Sequence, residues 1–286
     1  QQLLALAEAA DHSAVPDGMS LPEEIRRREA RLAAIAAAKA KIEARARQRA
    51  ERAQAEYQAK LARRQAKEQQ SGRKCGGKPP QPPAAGPRAE DQINLTDEHS
   101  RIMKVAGGGF EQCYNAQAAV DTESLLIVAP QVTDAANDKE QVAPMLASIQ
   151  ALPAGLNQPQ RLLADSGYYS ESNVEACAAA GVEPLIAVGR DQHHPHWRSR
   201  FEEPAPLRQP ATHVEQMKHA LKTKAGRAAY ALRKQTVEPV FGVIKSAMGF
   251  RQFLLRGLEH VRNEWTLVCL AWNFKRMAVL RPQFGR

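Results

Sequence analysis

Aromatic residues are scarce in this chain of 286 residues, at 5% of the total. Much of the 43% hydrophobic content is alanine, so a well-packed core cannot extend through the whole length. The four cysteines, Cys75, Cys113, Cys177 and Cys269, lie far apart and form no CxxC pair. That pattern excludes a disulfide scaffold and a zinc ribbon, and reads as reduced thiols in a cytoplasmic protein. No apolar run approaches the roughly 18 residues that a membrane span needs, and no signal peptide is visible, so no membrane partner is expected. The basic turn from Thr223 to Arg227, with Lys222 beside it, lacks the P-loop pattern, which argues against a nucleotide site, and no small-molecule substrate is expected. His193, His194 and His196 sit in a Pro-broken loop with no cysteine nearby, a poor frame for a structural metal. Internal repeats are absent.

What the chain has in excess is positive charge. The formal net charge is +9, which favours a polyanionic partner. Residues 1–70 read as a basic helical segment. From Leu21 to Gln70, fourteen Lys and Arg face seven Glu, helix formers predominate, and Pro22, Glu23 and Glu24 suit a first turn. Spacings of seven between Ile25 and Leu32, and between Ile35 and Ile42, suggest a coiled-coil seam. The helix could lie along DNA, pair with another copy, or stand as a solvated insertion. Residues 71–92 are crowded with Gly and Pro and read as a disordered linker.

Residues 93–280 have a different character. Tyr114 to Val120 alternates polar Asn115 and Gln117 with small apolar residues, and a turn at Asp121 to Ser124 leads into Leu125 to Val132, so a β-hairpin is expected. Asp138 to Leu152 reads as a helix. Arg161 to Asp165 reads as a short buried strand, Ser170 as the cap of a helix running to Ala180, and Pro184 to Val188 as another strand. Gly189 to Pro210 reads as an irregular loop. Val261, Trp265, Val268 and Trp272 recur at helical spacing, so the last helix buries one face and its tryptophans belong to the core.

Two places carry chemistry. Asp165 ends an apolar strand and is followed by Ser166 and Gly167, the position at which open α/β sheets present ligand groups. The second is Tyr230-x2-Arg233-x4-Glu238-x6-Lys245, one carboxylate among two cations and a phenol. Pro239 directly after Glu238 predicts a helix start or a kink there. Seven residues separate Glu238 from Lys245, so in a helix the two project from one side about 10 Å apart, with one group suited to a metal and the other to a phosphate.

The order of segments at 94–104, 114–121, 162–170, 230–245, 249–258 and 264–276 resembles the DDE transposases of bacterial insertion sequences, in the branch with a Tyr-Arg-Glu-Lys signature. One departure is visible: four residues, not three, separate Arg233 from Glu238. The resemblance implies an α/β, RNase H-like mixed sheet with flanking helices. It implies an Asp-Asp-Glu triad on two Mg²⁺ or Mn²⁺ ions, cleavage and strand transfer of double-stranded DNA at element ends and target, and a homo-oligomer on the DNA. Asp165 matches the second Asp and Glu238 the Glu, both as catalytic metal ligands. Tyr230, Arg233, Lys245, Arg251 and Arg256 match groups that position DNA. The first Asp belongs to the fold's first strand, and no strand ending in Asp precedes Tyr114. Asp121 and Asp97 are the substitutes on offer. With Gln1 in place of a starting Met, the expectation is an N-terminally truncated enzyme of little activity by itself. The alternatives are a noncatalytic DNA-binding remnant and a repair or resolving nuclease of the same fold.

Overall fold

The structure, a computed structural model, describes residues 2–11, 21–105, 108–189 and 202–284. It divides into two compact units, Gln1–Glu98 and His99–Arg286. The loop expected from Gly189 to Pro210, with His193, His194 and His196, lies largely outside the described residues.

The first unit holds α1 (Gln2–Asp11) and the 51-residue α2 (Leu21–Ser71), followed by a stretch without regular helix or strand. Glu23 and Glu24 occupy the first turn of α2, where negative charge meets the helix dipole. Ala46 is buried, and a partly covered stripe runs through Ile42, Arg49, Ala53, Tyr57, Leu61 and Arg64 at alternating helical spacings. The chain after α2 lies against this stripe. Arg49 makes a two-pronged pair with the Asp91 carboxylate at 2.7 and 2.6 Å. Arg45 donates to the Glu98 carbonyl at 2.8 Å and Arg64 to the Cys75 carbonyl at 2.7 Å. The Arg49 hydrogen bond, helped by the Arg88 N–H, holds the Asp91 carboxyl down at about 2. The Gly/Pro-rich stretch expected as a linker is thus irregular but tied to α2 by arginines. The residues expected to form a coiled-coil seam divide. Ile35 and Ile42 line a shallow groove with Pro87, Ile93 and Leu95, but Ile35, like Ile25 and Leu32, stays exposed.

The second unit is mixed α/β. It contains β1 (Arg101–Lys104), β2 (Phe110–Cys113), β3 (Asn115–Val120), β4 (Ile127–Thr133), α3 (Val142–Gln150), β5 (Arg161–Ala164), a 3-10 turn (Ser166–Tyr168), α4 (Glu171–Ala179), β6 (Glu183–Ile186), α5 (His213–Ala220), α6 (Lys224–Ser246) and α7 (Leu258–Phe284). The described strands form three two-stranded sheets rather than the single mixed sheet expected: β1–β2 and β3–β4 antiparallel, β5–β6 parallel. The β1–β2 hairpin is an addition to the sequence reading. Its strands are four residues each and mostly exposed, so they carry no apolar alternation.

The β3–β4 hairpin is the centre of a helix–sheet–helix sandwich. Ala116, Ala118 and Val120 turn toward Val240 and Ile244 of α6 and Val261, Trp265, Cys269 and Trp272 of α7. Ala119 and Ala129 turn the other way, onto Met145 and Ile149 of α3. Polar bonds fix α7 in register. Trp265 Nε1 donates to the Gln117 carbonyl at 2.9 Å and Trp272 Nε1 to the Leu125 carbonyl at 2.8 Å. Asn273 exchanges both of its bonds with the Ile127 backbone at 2.8 Å. The tryptophans are core residues, as their spacing predicts. The β5–β6 pair packs Ala164 and Ile186 against Val174 of α4 and Met217 of α5. Gly226 sets the α5–α6 corner: a Cβ there would stand 1.9 Å from the Ala220 carbonyl oxygen.

Candidate metal and DNA site

Asp165 follows Ala164, the buried last residue of β5, and is itself exposed. Its backbone is extended, at φ −78° and ψ 179°, and its side chain caps the 3-10 turn by accepting from the Gly167 N–H at 2.8 Å. A short polar strand end, a small residue at 167 and a cap at Ser170, which accepts from the Asn173 N–H at 3.2 Å, make the reversal from β5 into α4 compact. Because β5 and β6 run parallel, Asp165 stands at their shared carboxyl end.

Glu238 is not at a helix start, one of the two placements that Pro239 suggests. It lies inside a continuous helix, α6, with Pro239 in the helix interior. Proline removes one N–H and crowds the carbonyl four residues earlier, here that of exposed Gln235, which water can satisfy. Buried Thr236, Val240 and Ile244 on both sides of Pro239 carry the helix through, and the Thr236 hydroxyl bonds back to the Leu232 and Arg233 carbonyls at 3.0 and 3.1 Å. At about 100° per residue, Glu238 stands about 200° around the helix from Val240 and so faces away from the core. Its side chain keeps 58% of its exposure. Lys245 shares that outward side.

The remaining signature residues gather around Glu238 and the turn after α6. Arg233 Nη2 approaches Glu238 Oε1 at 3.4 Å, the Arg233 guanidinium lies 5.8 Å from the Tyr230 ring centre, and Arg233 Nε is buried with no hydrogen-bond partner among the described residues. Lys245 Nζ is 6.0 Å from the Phe241 ring, and Arg251 Nε donates to the Lys245 carbonyl at 3.3 Å. In the segment before α7, Phe250 and Phe253 pack on Trp265 while Arg251 and Arg256 are exposed. The apolar anchors therefore turn the basic side chains outward.

Among the described residues, no hydrogen bond or ion pair joins Asp165 to Glu238, and no three His, Cys, Asp or Glu side chains come together as a metal cage. Asp121, one of the two residues on offer for the first Asp, is engaged in its own turn: its side chain accepts from the Ser124 N–H at 2.7 Å and hydroxyl at 2.6 Å. Residues that sequence reasoning passed over lie beside Asp165. Asp138, Asn115, Gln117 and Tyr168 form a bonded chain next to the 3-10 turn. Only the alternation of Asn115 and Gln117 along β3 hinted at it.

Residues 81–274 match the family described as "Transposase DDE domain". The chain belongs to that family. No curated protein and no solved structure shows significant similarity to it. Membership in the transposase DDE domain family makes this a protein of DNA transposition and recombination, and gives a context to an exposed Asp at a strand end and an exposed Glu flanked by Arg and Lys. Each of these two carboxylates, taken singly, has oxygen free for a hard divalent cation. Among the described residues, Asp165 has one oxygen on an N–H and the other uncommitted, and Glu238 is held only by a long approach from Arg233. Mg²⁺ accepts one or two such carboxylates and completes its shell with water and phosphate oxygens. Among the described residues, no helix is long and apolar enough to cross a membrane.

Proposed function

We propose that this chain carries the catalytic domain of an insertion-sequence DNA transposase, with Asp165 and Glu238 holding divalent metal for cleavage and strand transfer. The observation that carries the proposal is the pairing, within one family match, of an exposed Asp at the carboxyl end of a parallel strand pair with an outward Glu–Lys face on α6. A bound Mg²⁺ or Mn²⁺ pair would activate a water or 3′-hydroxyl and stabilise the leaving oxygen. The chain's own residues do the rest. Lys245, Arg251 and Arg256 neutralise DNA phosphates, and Tyr230 supports the Arg233 guanidinium that steadies Glu238. The fold reading is RNase H-like: β3–β4 and β5–β6 are parts of one mixed sheet, completed by a further strand between β3 and β5 that brings the first Asp. In its favour, β3 and β5 each pair on one side only among the described residues, and α6 packs against both. The working form is an oligomer on double-stranded DNA, in the bacterial cytoplasm.

The test uses the full chain, Mn²⁺ uptake followed by electron paramagnetic resonance, and duplex binding followed by fluorescence anisotropy. Asp165→Ala and Glu238→Ala each lose Mn²⁺ uptake and keep duplex affinity, whereas Lys245→Ala loses duplex affinity and keeps Mn²⁺. Uptake unchanged in both carboxylate variants would leave a noncatalytic DNA-binding protein in place of the enzyme.

A further inference from the structure

The bonded chain beside Asp165 has a direction set by chemistry. Asp138 lies just before α3, and an ionised carboxylate can only accept. Its Oδ1 accepts from Asn115 Nδ2 and from Gln117 Nε2, both at 2.7 Å. Gln117 Nε2 spends its second hydrogen on Asn115 Oδ1 at 2.7 Å, and Asn115 Nδ2 its second on the Ala135 carbonyl at 3.3 Å. With both amide nitrogens turned to Asp138, Gln117 must present Oε1 outward, and that oxygen accepts the Tyr168 hydroxyl. Gln117 is 4% exposed and its backbone carbonyl is held by Trp265, so neither end of the residue can drift. Burial, and then the charges of Asp138 and Asp165, raise the Tyr168 phenol above its ordinary range, so its proton stays available for this bond.

Tyr168 closes the 3-10 turn that Asp165 caps. Its carbonyl accepts from Asn173 Nδ2 at 2.6 Å, and the same amide reaches the Lys139 carbonyl, next to Asp138, at 2.8 Å. Both ends of Tyr168 are therefore pinned, one to β3 and one to the loop that carries Asp138. The turn has little slack. A Cβ on Gly167 would meet Asp165 Oδ1 at 3.0 Å and Asp138 Oδ2 at 3.4 Å. We infer that Asp138 is a positioning residue: through Gln117 and Tyr168 it fixes the turn that aims the Asp165 carboxylate. The inference rests on the reading of Asp165 as a metal ligand only for its consequence in catalysis, because the mechanical link can be measured without metal.

Two measurements on the full chain separate these. The first is hydrogen exchange of the Gly167 amide, which is bonded to Asp165. Asp138→Ala and Tyr168→Phe accelerate it about tenfold, by freeing local opening of the turn. Asp138→Asn keeps the wild-type rate, because an Asn oxygen still accepts both amides. Glu140→Ala, an exposed neighbour, has no effect. The second is Mn²⁺ affinity, which falls about tenfold in Asp138→Ala and is restored in Asp138→Asn, as expected of an outer-shell partner. Unchanged exchange in Asp138→Ala overturns the inference. So does Asp138→Asn matching Asp138→Ala, which would make the charge itself the working feature. If exchange behaves as stated but neither the wild type nor Asp165→Ala takes up Mn²⁺, the positioning link stands and the metal reading falls.

Discussion

Replacing Trp265 by alanine probes the joint that holds α7, and with it Gln117, in place. The side chain is 2% exposed, its ring stacks 5.6 Å from Phe241, and Phe250 and Phe253 close around it at 6.3 and 6.4 Å. A buried Trp removes about 200 Å² from water. At about 25 cal/mol/Å² that is about 5 kcal/mol, an upper figure because the unfolded chain already hides part of it. The Gln117 carbonyl also loses its indole donor, about 1 kcal/mol. Partial collapse of the neighbours offsets some of this, and large-to-Ala changes of this kind cost about 3–5 kcal/mol. We therefore expect Trp265→Ala to lose about 4 kcal/mol, a large share of the roughly 5–15 kcal/mol available to a domain. Trp265→Phe, which keeps most of the ring but not the hydrogen bond, should lose about 1–2 kcal/mol. Urea unfolding followed by circular dichroism measures both. A loss under about 0.5 kcal/mol in Trp265→Ala, the range of ordinary surface changes, would refute the packing argument. A loss of duplex binding without a loss of stability would move the indole from the core to the DNA.

Further outcomes follow from single contacts. Gly226→Ala forces a methyl to 1.9 Å from the Ala220 carbonyl and should destabilise the second unit by about 3 kcal/mol in the same assay. Asp91, held at about 2 by Arg49, stabilises the first unit above the ordinary carboxylate range and loses that contribution as pH falls through about 2. Hydrogen exchange in residues 86–91 should rise over that acid window in the wild type, and Arg49→Ala should remove the dependence. Burial raises the Cys177 and Cys269 thiols to about 11 and about 12, so both should resist a thiol reagent in the folded chain, while partly exposed Cys75 reacts.

The parts of the fold legible in the sequence are those with a strong local signal. The β3–β4 hairpin showed in the alternation around Asn115 and Gln117, α4 in its Ser170 cap, and α7 in the spacing of its two core tryptophans. Where local and tertiary signals disagree, tertiary packing wins. Pro239 argued for a helix start or a kink at Glu238; the helix start is not there, because α6 begins at Lys224 and a buried stripe on both sides carries it through the proline. Asp138 reads as the start of a helix, but its carboxylate is drawn to two amides on β3, and α3 begins only at Val142. The arginines of α2 read only as a basic run that could meet DNA, a second copy or solvent, and Arg45, Arg49 and Arg64 hold the chain that follows the helix. Such pairings join residues between 11 and 53 positions apart, and no local pattern encodes them.

We propose above that Asp165 and Glu238 serve one metal site. Paramagnetic broadening by substoichiometric Mn²⁺, read at the backbone amides of the full chain in the presence of duplex DNA, tests it most directly. The amides of residues 165–167 and of Glu238 should broaden together, at the same Mn²⁺ concentration, and Asp165→Ala should abolish both effects. Broadening at one position that survives loss of the other carboxylate would contradict the proposal.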